Sequence, residues 1–166
     1  PSPILYFTLA NAVTSSSASV MGGLTAQRND IIAFDGSRFS TWLNGNASGL
    51  SGAVLSGLHI VSPDEVVVAV QNPITLAGIA FDDSDLTRLS RNSSGGFSVL
   101  MFFDGSDVGL TTNAEAIDAV TGLADGSWLI STRGSGSVPG VASFAAEDIL
   151  RFSPTSLGAT TAGSWS

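Results

Sequence analysis

A chain of 166 residues with 43% hydrophobic and only 12% charged residues can bury roughly 70% of its unfolded surface, which excludes a disordered tail and favours one domain with a core. Fourteen acidic residues against six arginines and no lysine leave a net charge of −8, which disfavours nucleic acid and anionic membranes as partners. The lack of cysteine removes disulfides, thiolate nucleophiles and thiolate metal sites, and the lack of lysine excludes a lysine-bearing phosphate loop.

In chain order, Ile4-Leu5-Tyr6-Phe7-Thr8-Leu9 reads as a first strand, too short and polar to cross a membrane and without the basic flank of a secretion signal. A start at Pro1 suggests a processed precursor or an excised fragment. A small and polar loop follows over 11–29. Ile31 to Phe34 turns at Asp35-Gly36-Ser37 into Arg38 to Leu43. Leu58 to Val61 turns at Ser62-Pro63-Asp64-Glu65 into Val66-Val67-Val68-Ala69-Val70, whose β-branched run fits a strand covered on both faces. Leu86 to Leu89 and Phe97 to Phe103 form the next pair. Residues 114–119 have room for one helical turn at most. Val120 passes through Ala124-Asp125-Gly126, a strong hairpin signal, into Trp128-Leu129-Ile130. A second long loop covers 134–147, and Ile149 to Phe152 precedes Ser164-Trp165. No segment keeps apolar residues at helical spacing beyond two turns, so almost no helix is predicted.

These elements recur. Asp30, Asp85 and Asp148 each precede an apolar strand, and Asn44-Gly45 to Leu50 matches Asp104-Gly105 to Leu110, at intervals of about 60 residues. The predicted class is therefore all-β, a single domain of antiparallel four-stranded sheets in units of approximately 1–50, 51–110 and 111–166. Sheets repeated at this period suggest a β-propeller-like array of about 2.5 blades, with a sandwich or roll as the competing layout. The array opens on a second-type strand, and its last fourth strand is expected to have barely begun. Ends of that kind need backbone from another chain. Ile4, Leu5, Tyr6, Phe7 and Leu9 at one end, with Leu157 and Trp165 at the other, are the predicted assembly residues.

The phrases Ile4 to Ala10, Asn29 to Gly36, Phe103-Asp104-Gly105-Ser106-Asp107-Val108-Gly109-Leu110 and Glu147 to Gly163 resemble a family of secreted bacterial repeat proteins. The resemblance covers most of the chain. It implies β-propeller-like repeats and attaches no catalytic role to any motif.

Candidate chemistry is sparse. His59 is the only histidine and sits in a predicted strand, where packing explains it better than a triad, and no G-x-S-x-G is present. Glu65 and Glu115 could pair as glycosidase acids only across a cleft. Asp82, Asp83, Asp85, Asp104 and Asp107 concentrate hard oxygen ligands suited to Ca²⁺, although the same residues make turns through their own backbone. Asn46 and Asn92 head N-glycosylation triplets, and Thr14 to Ser19 could carry O-glycans. Trp42, Trp128 and Trp165 fit a sugar platform less well than a core. The expected function is a non-catalytic, extracellular or cell-surface structural protein that self-assembles as a fibre or multi-chain propeller, the alternative being a carbohydrate- or Ca-binding module. No cofactor is required, Ca²⁺ being the one candidate.

Overall fold

The computed structural model describes residues 4–14, 21–93 and 96–166. It is all-β and antiparallel, as the patterning predicts, and its only helical pieces among these residues are single 3-10 turns. The first sheet joins β1 (Leu5–Phe7), β2 (Ile31–Phe34) and β3 (Phe39–Leu43) in that order. The second has β4 (Leu55–Ser62) and β5 (Glu65–Val70), then a small separate hairpin of β6 (Ile74–Leu76) and β7 (Ile79–Phe81). It is completed by β8 (Leu86–Arg91) and β9 (Phe97–Phe103), in the order β4-β5-β8-β9. The third repeats the plan. Its strands β10 (Ile117–Gly122), β11 (Trp128–Thr132), β14 (Leu150–Ser156) and β15 (Ala162–Trp165) enclose a second small hairpin, β12 (Gly136–Val138) with β13 (Val141–Phe144).

Two expectations need correction. The loop predicted over 134–147 holds the β12–β13 hairpin, and β6–β7 occupies the equivalent place in the second sheet. The last fourth strand, as expected, is formed over only part of the length of its copies: Trp165 stands by register where Phe39 opens β3, and Ile149 has no strand partner where Ile31 pairs with Leu43 and Leu86 with Phe103. Strand β15 pairs with β14 from Phe152↔Trp165 to Ser156↔Ala162, and Arg151 and Ser166 exchange both backbone hydrogen bonds beyond it. Trp165, predicted to face a partner chain, is 7% exposed because its ring packs on Phe152 and Phe103, and its indole N–H donates to the Val108 carbonyl. Leu157 lies where the second and third sheets meet, lining a cleft with Phe102 and Met101.

The sheets stack face to face because alternate residues of β5 point to opposite neighbours. Val66, Val68 and Val70 enter a core shared with Ile31, Leu43 and Leu50 of the first unit. Val67 and Ala69 enter a core shared with Ile117, Ile130, Phe152 and Trp165 of the third. All five are at most 1% exposed, and each valine contributes about 1.5–3 kcal/mol by leaving water. Strand β4 lies against β10 almost backbone to backbone. Ser56 Oγ donates to the Ile117 carbonyl at 2.8 Å, and a Cβ on Gly57 would stand 3.2 Å from Ala119 Cα. No ring of sheets closes among the described residues.

Candidate functional site

The recurring aspartates are backbone clips. Asp85 accepts from Asp82 N through Oδ2 at 2.7 Å and from Gly105 N through Oδ1 at 3.0 Å. Asp30 does the same, from Gln27 N at 2.7 Å and Gly45 N at 2.8 Å. Each carboxylate thus ties the start of one strand, β2 or β8, to the loop leaving the next, β3 or β9. Burial pushes the Asp85 carboxyl above its ordinary 3.8 against the pull of these N–H donors. Asp148 keeps the first bond, from Ala145 N at 2.8 Å, but is exposed where Asp30 and Asp85 are buried.

Three Asp-Gly-Ser triplets share one side-chain device, on a left-handed glycine at Gly36 and Gly126 and a right-handed one at Gly105. Asp35, Asp104 and Asp125 each accept, through Oδ1, the backbone N–H and the hydroxyl of the serine two residues on. Hydrogen bonds from the Arg38 N–H and then the Ser37 hydroxyl and N–H hold Asp35 down to about 2. Asp125 is lowered first by the Ser127 hydroxyl, and it also pairs with Arg151.

The candidate calcium residues share this fate. Asp82 Oδ1 accepts from Asp83 N, Asp104 from Ser106, and Asp107 Oδ2 from Thr161 N, while both oxygens of Asp85 are engaged. Asp83 is buried, and burial followed by the neighbouring Asp82 raises its carboxyl above 3.8. Among the described residues no three acidic or histidine side chains assemble to hold a metal ion.

The catalytic pair on paper does not meet a cleft. Glu65 pairs with Arg88 at 2.7 Å, and Glu115 is 4% exposed inside a capping box with Thr112. His59 packs edge-on against Trp128 at 5.3 Å and accepts from Gly122 N through Nδ1, an imidazole between strands β4 and β10. Desolvation lowers it below 6.5. Since the folded state holds the proton less tightly, the contribution of His59 is complete above pH 6.5 and is lost as pH falls from there through the lower folded value. His59→Phe should therefore flatten the fall in urea-unfolding stability just below that pH. An unchanged slope would contradict the assignment.

Of the two glycosylation candidates, Asn46 is exposed and accepts from Asn29 Nδ2, and Asn92 is exposed in the turn closed by Gly96. The O-glycan stretch falls largely on residues 15–19, outside the described residues. Trp42 packs on Tyr6 at 5.6 Å and Trp128 on Phe102 at 4.8 Å, so neither forms a free aromatic platform.

The outer face of the third sheet is open around Ile149, and that of the first sheet is capped over Ile32 by Met21, Ala26, Val13 and Leu24, leaving Leu5 exposed at its margin. By strand register, Leu5 holds the place of Val66 and Ile149 the place of Ile31 and Leu86. Val66, Ile31 and Leu86 are 0%, 0% and 1% exposed, whereas Leu5 is 61% and Ile149 66% exposed. Ile149 borders an apolar groove with Ala119, Thr121, Leu129 and Ile130 on the third sheet. Of the other first-end residues, Ile4 is 49% exposed, while Tyr6, Phe7 and Leu9 are half-buried against Trp42, Phe39 and Ile32. The feature that sequence reasoning missed is Ile149, whose copies were visible but whose exposure was not. No family model, no curated protein and no solved structure matches this chain.

Proposed function

We propose that the chain is a non-catalytic, extracellular structural module with β-propeller-like sheets, and that it self-associates by setting the end sheet of one copy on the end sheet of the next. The observation that carries this reading is the exposure of Leu5 and Ile149 at positions whose copies are buried between sheets. An apolar sheet face of this shape already has a partner of its own kind inside the chain, at the seam between the second and third sheets. A head-to-tail contact between unlike faces closes a ring or grows a fibre. The free edge of β1, which has no fourth strand beyond it among the described residues, offers backbone groups for strand addition at the same end. The Asp-Gly-Ser turns, the Cys-free composition and the family resemblance support a secreted structural role.

Mass photometry and negative-stain imaging test the reading. The parent should form rings or fibres, and the Leu5→Asp, Ile149→Asp double variant should stay monomeric with unchanged far-UV circular dichroism, since both side chains stand in solvent. A parent that is monomeric up to high micromolar concentration, or a double variant that assembles like the parent, would overturn it.

A further inference from the structure

We infer that Arg28 and Arg133 form a site for a small carboxylate-bearing ligand, in a cleft of about 360 Å³ between the first and second sheets and the third. The cleft is lined by Thr8, Ala10, Arg28, Gln71, Asp118 and Arg133, together with residues 54–56. Its volume is in the range of small-molecule sites.

Three observations point to an anion there. In this acidic protein Arg88, Arg91 and Arg151 each hold a carboxylate within 4.0 Å, and Arg38 stands beside Asp35. Arg28 and Arg133 hold no carboxylate within 4.0 Å among the described residues, although Arg133 stands beside Asp83 as Arg38 does beside Asp35. Both instead donate to one residue, Arg28 Nη2 to Gln71 Oε1 at 3.0 Å and Arg133 Nη2 to the Gln71 carbonyl at 3.3 Å. Two guanidinium groups gathered on two neutral oxygens of one residue favour an anion beside them, and Asp118 and Asp83 supply part of that charge without taking a hydrogen bond from either. Arg28 Nε is also buried with no acceptor, and an orphaned buried donor marks a place for a missing water or ion.

A carboxylate suits the site better than a phosphate. Both anions match the guanidinium fork in pairs, so their charge decides between them. Asp118 on the rim, whose Oδ1 accepts from the Ser131 hydroxyl, and Asp83 close to Arg133 oppose a dianion more than a monoanion. Arg28 also borders a neighbouring cleft with Asn29 and Asn46, but only the first cleft brings in the second guanidinium.

The intact chain should be titrated at low salt with glucuronate, with glucose and with inorganic phosphate, followed by calorimetry and by the arginine Nε–Hε signals in ¹⁵N spectra. Glucuronate should shift the Arg28 signal saturably and glucose should not. Arg133→Gln, an exposed change that leaves the core alone, should weaken binding about tenfold or more, as should Arg28→Gln, while Arg38→Gln binds like the parent. Arg28→Lys, which keeps the charge and loses the fork, should bind weakly while remaining folded. A shift that never saturates, binding untouched by Arg133→Gln, an equal response to glucose, or phosphate binding as tightly as glucuronate would each overturn the assignment. These readings are independent of self-association, because Leu5 and Ile149 lie outside the cleft.

Discussion

Gly105→Ala should lower unfolding stability by about 3 kcal/mol or more. The backbone at Gly105 is right-handed, with φ −67° and ψ −31°, so alanine would ordinarily be tolerated or slightly stabilising there. What forbids it is proximity. A Cβ would sit 2.3 Å from the Ser84 carbonyl oxygen and 2.9 Å from Ser84 Cβ and Oγ. The chain has to retreat, which breaks the Gly105 N–H bond to buried Asp85 and strains the Leu110 N–H bond to the Gly105 carbonyl. Leu110 then loses its seat between the second and third sheets. Gly45→Ala should behave alike, its Cβ falling 2.1 Å from the Asn29 carbonyl oxygen. Gly126→Ala is the control, since nothing stands within 4 Å and only its φ of +86° is penalised, by about 1 kcal/mol. Urea unfolding of the three variants checks the order. A Gly105→Ala midpoint no lower than that of Gly126→Ala would show that the clip is not tight.

That clip explains why so much of the architecture can be read from the sequence. A carboxylate that must meet two N–H groups, one three residues before it and one across the sheet, cannot drift. Asp30 and Asp85 and the glycines opposite them therefore recur in register. The β5 strand was legible for a related reason, since burial on both faces writes a continuous β-branched run. The small hairpins were not. Strand β6 is three residues long, and its turn places Ala77 at φ +49°, a conformation that no sequence rule assigns to alanine. The Pro139-Gly140 turn of β12–β13, with Gly140 at φ +92°, was the readable signal, because Pro-Gly favours a tight turn. Strand β15 is legible at Ser164-Trp165, but its start at Ala162-Gly163 carries no apolar pattern. Gly163 is there for clearance, as a Cβ would lie 2.4 Å from the Ser153 carbonyl oxygen. The arginine cleft has no linear signature at all. Arg28, Gln71 and Arg133 lie in three different units, and only the stacking of the sheets brings them together.

Glu115→Ala should cost about 3–5 kcal/mol, as large a loss as any single change outside the apolar core. Burial pushes this carboxyl up, but its donors outweigh burial and hold it below its ordinary 4.5. Oε2 accepts from Thr111 N at 2.7 Å, Thr112 N at 2.8 Å and Thr112 Oγ1 at 3.0 Å, and Oε1 accepts from Ser137 N at 3.3 Å. The side chain thus ties the start of the third unit to its inserted hairpin, and Gly136 leaves it room, since a Cβ there would fall 2.4 Å from Oε1. Alanine removes the one acceptor that gathers all four donors, whereas Glu115→Gln keeps the shape and one oxygen and should recover about half the loss. Because the folded carboxyl releases its proton more readily than the unfolded one, its contribution is complete above pH 4.5 and fades as pH falls through the folded value. Asp83 and Asp85, both raised, work in the opposite sense, their folded forms gaining relative stability as pH drops. The difference between parent and Glu115→Ala cancels those two and isolates the clamp. That difference should be constant from pH 6 to 8 and shrink steadily below about 4.5. A difference that stayed flat down to the acid limit would mean that the glutamate acts through its aliphatic stem and not through its charge.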